Sequence, residues 1–92
     1  MLGLNVTSQF RKDYKRMKKQ GKDLSLLEGV IDLLLAEDKL PQKYRDHALS
    51  GKYAGFRECH IQSDWLLMYK LDTDRLILTA IRTGSHADLL NM

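Results

Sequence analysis

Residues 56–82 read FRECHIQSDWLLMYKLDTDRLILTAIR, and this stretch decides the fold. It holds three apolar-rich runs, at 56–61, 65–71 and 75–82. The links between them, Gln62-Ser63-Asp64 and Asp72-Thr73-Asp74, are short and polar. Links this short join antiparallel neighbours, so the stretch predicts a three-stranded meander. With both hairpins in their simplest register, Glu58, His60, Leu66, Met68, Leu76, Leu78, Ala80 and Arg82 point one way. Arg57, Cys59, Ile61, Trp65, Leu67, Tyr69, Ile77 and Ile81 point the other. The second set is the more apolar and is assigned to the core. The first then forms an open face carrying His60 and Arg82. A slip of one residue exchanges the two faces of a strand, so this assignment depends on the register.

Upstream, residues 1–6 alternate, with Leu2, Leu4 and Val6 on one side, as a short strand does. Ser8 is placed to cap a helix running to about Gln20, with Phe10, Tyr14 and Met17 as its apolar stripe and Gly21 as its stop. Asp23 or Ser25 opens a second helix, and Ser25 with Glu28 has capping-box spacing. Leu24, Leu27, Ile31, Leu34 and Leu35 give that helix a broad apolar face, and Pro41 ends the element. The short link predicts an antiparallel helical hairpin. Residues 42–55 show no clear period, and 84–91 form a tail with one helical turn. The expected order is β-α-α-β-β-β. It describes an α+β fold of two layers, with the helical hairpin packed on a four-stranded, mainly antiparallel sheet, in a single domain over 1–92.

With 92 residues there is room for one small core, so a site must lie on the surface or in a shallow cleft. One cysteine excludes an internal disulfide framework and a zinc site built on several thiolates. Cys59 falls on the core side and reads as a small buried apolar residue. No apolar stretch approaches the ~20 residues that span a bilayer, so the expectation is a soluble, cytoplasmic protein with no membrane partner. The net charge of +3 conceals a division. Residues 1–22 carry seven basic residues and one acidic residue, whereas 23–40 carry five acidic and one basic. A basic segment this dense suits a polyanion, although a solvated helix face has the same composition.

Three histidines, His47, His60 and His86, are the residues with chemistry to offer. His86 follows Arg82 by four residues and can fold back beside it. Asp64, in the turn after His60, can orient an imidazole or share a proton. RNA cleavage without a metal needs a base for the 2′-OH, an acid for the 5′-oxygen, and positive charge against the developing phosphorane. Histidine supplies the first two and Arg or Lys the third. A zinc site from His47, His60, His86 and Asp64 is chemically allowed, but these residues lack short-motif ligand spacing, and neither metal nor cofactor is expected.

Tyr44-Arg45-Asp46-His47-Ala48-Leu49-Ser50-Gly51, Phe56-Arg57-Glu58-Cys59-His60-Ile61, Asp64-Trp65-Leu66-Leu67-Met68-Tyr69 and Arg82-Thr83-Gly84-Ser85-His86 resemble the YafQ family, toxins of bacterial type II toxin–antitoxin modules within the RelE superfamily. The resemblance covers the whole chain and implies a RelE-like fold. It also implies a ribosome-dependent endoribonuclease that cuts mRNA in the A site and is neutralised by a DinJ-like antitoxin. Operator DNA would be reached only through that antitoxin. The family's catalytic residues fall on His86, His60, Asp64 and His47, with His86 the first choice for general acid and His60 with Asp64 for the base or its orienting partner. Arg82, Arg57 and Lys52 are then expected to meet phosphate. The basic helix, with Arg11, Lys12, Lys15, Lys18 and Lys19, is expected to meet ribosomal RNA. Leu66 stands where RelE itself carries a catalytic Arg, which leaves the chemistry to the histidines. Leu90 stands where the family commonly has an aromatic. The alternative function is a member without chemistry, acting as an antitoxin-binding and DNA-complex module.

Overall fold

The structure, a computed structural model, describes residues 1–90, the side chain of Leu90 excepted. Strand β1 (Gly3–Val6) leads into helix α1 (Ser8–Lys19), followed by α2 (Leu24–Leu35). A two-residue strand β2 (His47–Ala48) lies between two single 3-10 turns, Gln42–Tyr44 and Gly51–Tyr53. Strands β3 (Arg57–Gln62), β4 (Trp65–Asp72) and β5 (Ile77–Gly84) form the meander, and a short helix α3 (His86–Leu90) follows. The sheet has five strands in the order β1-β5-β4-β3-β2, one more than expected. The extra strand is β2, antiparallel to β3, which is too short to leave a period in the sequence. β1 pairs in parallel with β5, and the remaining neighbours are antiparallel.

The helices begin where side-chain acceptors meet their free N–H groups. Thr7, one residue before the expected Ser8, caps α1. Its Oγ1 accepts from the Phe10 N–H (2.9 Å) and donates to the Ile81 carbonyl (2.7 Å), which ties the helix start to β5. Asp23 caps α2 by accepting from the Ser25 N–H. Glu28 does not close a capping box; it accepts from the Tyr14 hydroxyl across the two helices (2.8 Å). Phe10 and Met17 from α1, and Leu27, Val30, Ile31 and Leu34 from α2, meet Cys59, Ile61, Trp65, Leu67, Tyr69, Leu78 and Ala80 of the sheet in one core. Each large aliphatic side chain buried there contributes roughly 1.5–3 kcal/mol.

The β3–β4 register matches the expectation from Arg57 to His60, with Arg57 opposite Tyr69, Cys59 opposite Leu67 and His60 opposite Leu66, and then shifts, Gln62 rather than Ile61 pairing with Trp65. The β4–β5 register does not. Leu78 and Ala80, expected on the open face, are fully buried in the core, and Ile77 and Ile81 are only half-buried. Two features cause the slip. Asp72 pairs with Ile77, so the link is the four residues 73–76, with Leu76 at a positive φ of 56°. Met68 then pairs with Arg82 while Tyr69 pairs with Ala80, which leaves Ile81 as a bulge. The bulge returns Arg82 to the side on which Met68 lies, as the simple register had it. On that side Leu66, Met68 and Leu89 are also buried.

Candidate active site

The end of β3, the Ser63-Asp64 turn and the start of α3 come together near the C-terminal end of α1. His60 and His86 lie ring beside ring, with centroids 5.5 Å apart and planes tilted by 59°. Asp64 fixes His86 at two points. Its Oδ1 accepts from the His86 backbone N–H (3.0 Å) and lies 2.8 Å from Nδ1. A carboxylate at that distance puts the proton on Nδ1 and leaves Nε2 facing outward. The two His86 N–H donors hold the Asp64 carboxyl below the usual carboxylate range. By its place in the turn after His60, Asp64 is expected to partner His60. The structure instead gives it to His86, because α3 sets its first N–H and its first side chain directly over the turn.

His47 enters from β2, opposite Glu58. Its Nδ1 lies 2.7 Å from the Arg45 carbonyl and therefore donates to it, and Nε2 lies 3.7 Å from Glu58 Oε1. All three histidines thus belong to one neighbourhood. Burial holds the His60 imidazole below its ordinary value. The positive charges of His86, Arg45 and His47 push the same way, and Glu58 opposes them. Sequence reasoning gave no role to Arg45, Lys43 or Glu58. Arg45 and Lys43 border the shallow groove beside His60, together with Ile61, Gln62 and Ser63. Glu58 could have been found from its position two residues before His60 on the same face of β3. Arg45 and Lys43 lie in a loop with no period to place them.

The expected phosphate contacts separate. Arg82 places Nε and Nη2 on the Asp13 carboxylate, both at 2.9 Å, and Nη1 on the Asp88 carbonyl at 3.4 Å. Its guanidinium is committed to holding α1, β5 and α3 together. Arg57 lies on the core side, away from the histidines. There its Nη2 donates to Asp46 (2.9 Å), its Nε faces the Tyr69 hydroxyl, and Tyr69 in turn donates to Asp46. That group borders a cavity of about 600 Å³ with Leu2, Leu34, Leu40 and Leu71. Lys52 is exposed, with its ammonium 5.2 Å from the centre of the Tyr53 ring. Arg11, Lys12, Lys15, Lys18 and Lys19 are exposed along α1. Leu90, noted for its place in the family pattern, has a side chain outside the described residues. Among the described residues no three His, Cys, Asp or Glu side chains are grouped to hold a metal ion, and no helix is long and apolar enough to cross a membrane.

Residues 2–91 match the family model described as the bacterial toxin of a type II toxin–antitoxin system, YafQ. The chain is 41% identical over 87 residues to the mRNA interferase toxin YafQ of Escherichia coli strain K12, covering 94% of this chain and 92% of that protein. Among solved structures, a metal-bound toxin from Helicobacter pylori superposes with a TM-score of 0.91 at 42% identity, covering 97% of this chain and 99% of that one. The E. coli DinJ–YafQ complex gives 0.88 at 37% identity over 97% and 98%. The chain belongs to the YafQ family of bacterial toxins of type II toxin–antitoxin systems.

Proposed function

We propose that this protein is an mRNA interferase: a ribosome-dependent endoribonuclease that cuts mRNA in the A site by general acid–base catalysis and is neutralised by a DinJ-like antitoxin. The observation that carries the reading is the pair of imidazoles 5.5 Å apart, one of them fixed in tautomer and direction by Asp64. Two rings 5.5 Å apart are spaced to reach the entering 2′-oxygen and the leaving 5′-oxygen of one phosphate. His60, kept neutral by burial and by the charge of His86, accepts the 2′-OH proton. The 2′-oxygen attacks phosphorus, the bond from phosphorus to the 5′-oxygen breaks, and His86, acting as the imidazolium with both nitrogens protonated, gives its Nε2 proton to that oxygen and is left as the Nδ1–H tautomer that Asp64 holds. A 2′,3′-cyclic phosphate is left. Asp64 holds His86 through Nδ1 during the transfer. His47, anchored on the Arg45 carbonyl, stands behind His60 and helps position the phosphate.

Fixed positive charge against the phosphorane comes from Arg45 and Lys43, which border the groove beside His60, and from the exposed Lys52. Arg82 contributes its field from the Asp13 pair, and Arg57 serves the core side. The exposed cations of α1 meet ribosomal RNA. The antitoxin neutralises the toxin in the cytoplasm and makes the contact with operator DNA. The test is primer-extension mapping of ribosome-bound mRNA. Wild type is expected to give discrete A-site cuts and His86→Ala none. Equal cutting by His86→Ala overturns the assignment.

A further inference from the structure

We infer that Asp13, on α1, is a positioning residue for His86, acting through Arg16, Arg82 and Asp88 without touching the site. The inference rests on the reading of His86 as the proton donor. Asp13 is the one acidic residue among residues 1–22, and it is fully buried. Five donors converge on its carboxylate. They are Gln9 Nε2 (3.1 Å), Arg16 Nη1 (3.0 Å), Arg82 Nε and Nη2 (both 2.9 Å) and the Thr83 backbone N–H (3.2 Å). Buried charge persists only when surrounded in this way, and a group so surrounded has one position.

From Asp13 the arrangement runs to α3. Arg16 Nη2 reaches Asp88 Oδ2 (3.3 Å) and the Thr83 carbonyl (3.4 Å), and Arg82 Nη1 reaches the Asp88 carbonyl. Asp88 Oδ2 accepts from the Ser85 N–H (3.0 Å), and the Asp88 N–H donates to Ser85 Oγ (3.1 Å). The turn between β5 and α3 is therefore clamped from both sides, and His86 is the residue that this turn delivers. Gly84 shows how little slack exists. A Cβ there meets Asp88 Oδ2 at 2.8 Å and Arg16 Nη2 at 2.9 Å, so only glycine lets the two groups close over the turn. On the other side of the same turn, Asp64 holds His86. One carboxylate sets where α3 begins and the other sets how the ring points.

Asp13→Asn keeps the shape and removes the charge that organises both arginines. Arg16→Gln removes the branch to Asp88 and the Thr83 carbonyl together with one of the five donors to Asp13, leaves both Arg82 bonds in place and, on a side chain one-third exposed, spares the fold. Val30→Ala, a core truncation on α2 away from this cluster, is the comparator for lost stability alone. Two measurements are made on each. The first is amide hydrogen exchange and the ring nitrogen shifts of His86 in the free protein. The second is kcat and KM for cutting ribosome-bound mRNA. Asp13→Asn and Arg16→Gln are expected to speed exchange at the His86 amide about tenfold and to move its ring signals, while Val30→Ala leaves the signals in place. They are expected to lower kcat roughly 10- to 100-fold with KM within about twofold, the effect of misplacing a proton donor by an ångström or less. Unmoved His86 signals in a folded Asp13→Asn or Arg16→Gln protein overturn the inference. A wild type that cuts no mRNA overturns the functional reading instead, and the His86 signals still decide the positioning.

Discussion

Asp13 and Asp64 stand on opposite sides of one turn, and each holds a cationic partner. Asp13 is completely buried against Arg82, whereas the Asp64 side chain is 68% exposed against His86. The buried pair has both guanidinium edges committed and no exchangeable proton near neutral pH, because Arg does not titrate. The exposed pair couples a carboxylate to an imidazole, which offers two ring nitrogens where Arg offers only donors. The same charge type thus holds a fixed guanidinium where water is excluded and orients an imidazole where water has access. The two functions meet in the short helix α3, which is anchored by the first pair and aimed by the second.

Three substitutions test the contrast, taken in descending order of effect. His86→Ala removes the proton donor, and cleavage of ribosome-bound mRNA is expected to fall about 10²- to 10⁴-fold while the denaturation midpoint stays near wild type. A midpoint that falls together with activity would make His86 a structural residue. Asp13→Ala leaves two arginines facing an empty buried site, and urea denaturation is expected to show a loss of about 3–5 kcal/mol. A loss no larger than that of an ordinary surface substitution would mean that the cluster carries no tension. Asp64→Asn keeps an acceptor for the His86 N–H groups but removes the charge. Its rate is expected to drop about 10- to 100-fold with the midpoint unchanged. Equal rates would reduce Asp64 to a cap on α3.

How much of this was legible in the sequence differs by region for physical reasons. The β3–β4 hairpin was readable because Glu58-Cys59-His60-Ile61 alternates, and because the irregularity between His60 and Gln62 leaves the pairing from Arg57 to His60 in the phase of the simple three-residue link. The run Leu76-Ile77-Leu78-Thr79-Ala80-Ile81 has almost no polar residue to mark a face. Its phase was set by a positive-φ leucine and a bulge, neither of which has a local signature. The three histidines were brought together as expected, yet the partner of Asp64 was not, since it depends on where α3 starts. Asp13 left a trace that went unread. It falls three residues after Phe10 and four before Met17, on the buried stripe of a helix whose lysines and Arg11 face solvent. An acidic residue on an apolar stripe requires a basic partner from elsewhere in the chain, and Arg82 is that partner.

The smallest effect distinguishes the two regions by pH. Burial first, and then the charges of His86, Arg45 and His47, hold His60 below its ordinary value against the opposing Glu58. The unfolded chain therefore binds that proton more readily than the folded one, so stability rises with pH across the window between the two values. The contribution is intact above about pH 6.5, the unfolded value, and is lost as the solution is acidified below it. At Asp13 burial pushes upward, but Arg82, Gln9 and the Thr83 N–H together pull the carboxyl below its usual range. Its contribution is present above about pH 4 and disappears only as pH falls further. Urea denaturation at stepped pH should therefore show a shallow decline beginning below about pH 6.5 and a steeper one below about pH 4. His60→Asn should abolish the first and leave the second, whereas Asp13→Asn should do the reverse. If His60→Asn keeps the shallow decline, the imidazole is not held neutral by its surroundings, and the proposed role of base passes to His47, whose Nδ1 is taken by the Arg45 carbonyl and whose Nε2 lies 3.7 Å from Glu58 Oε1.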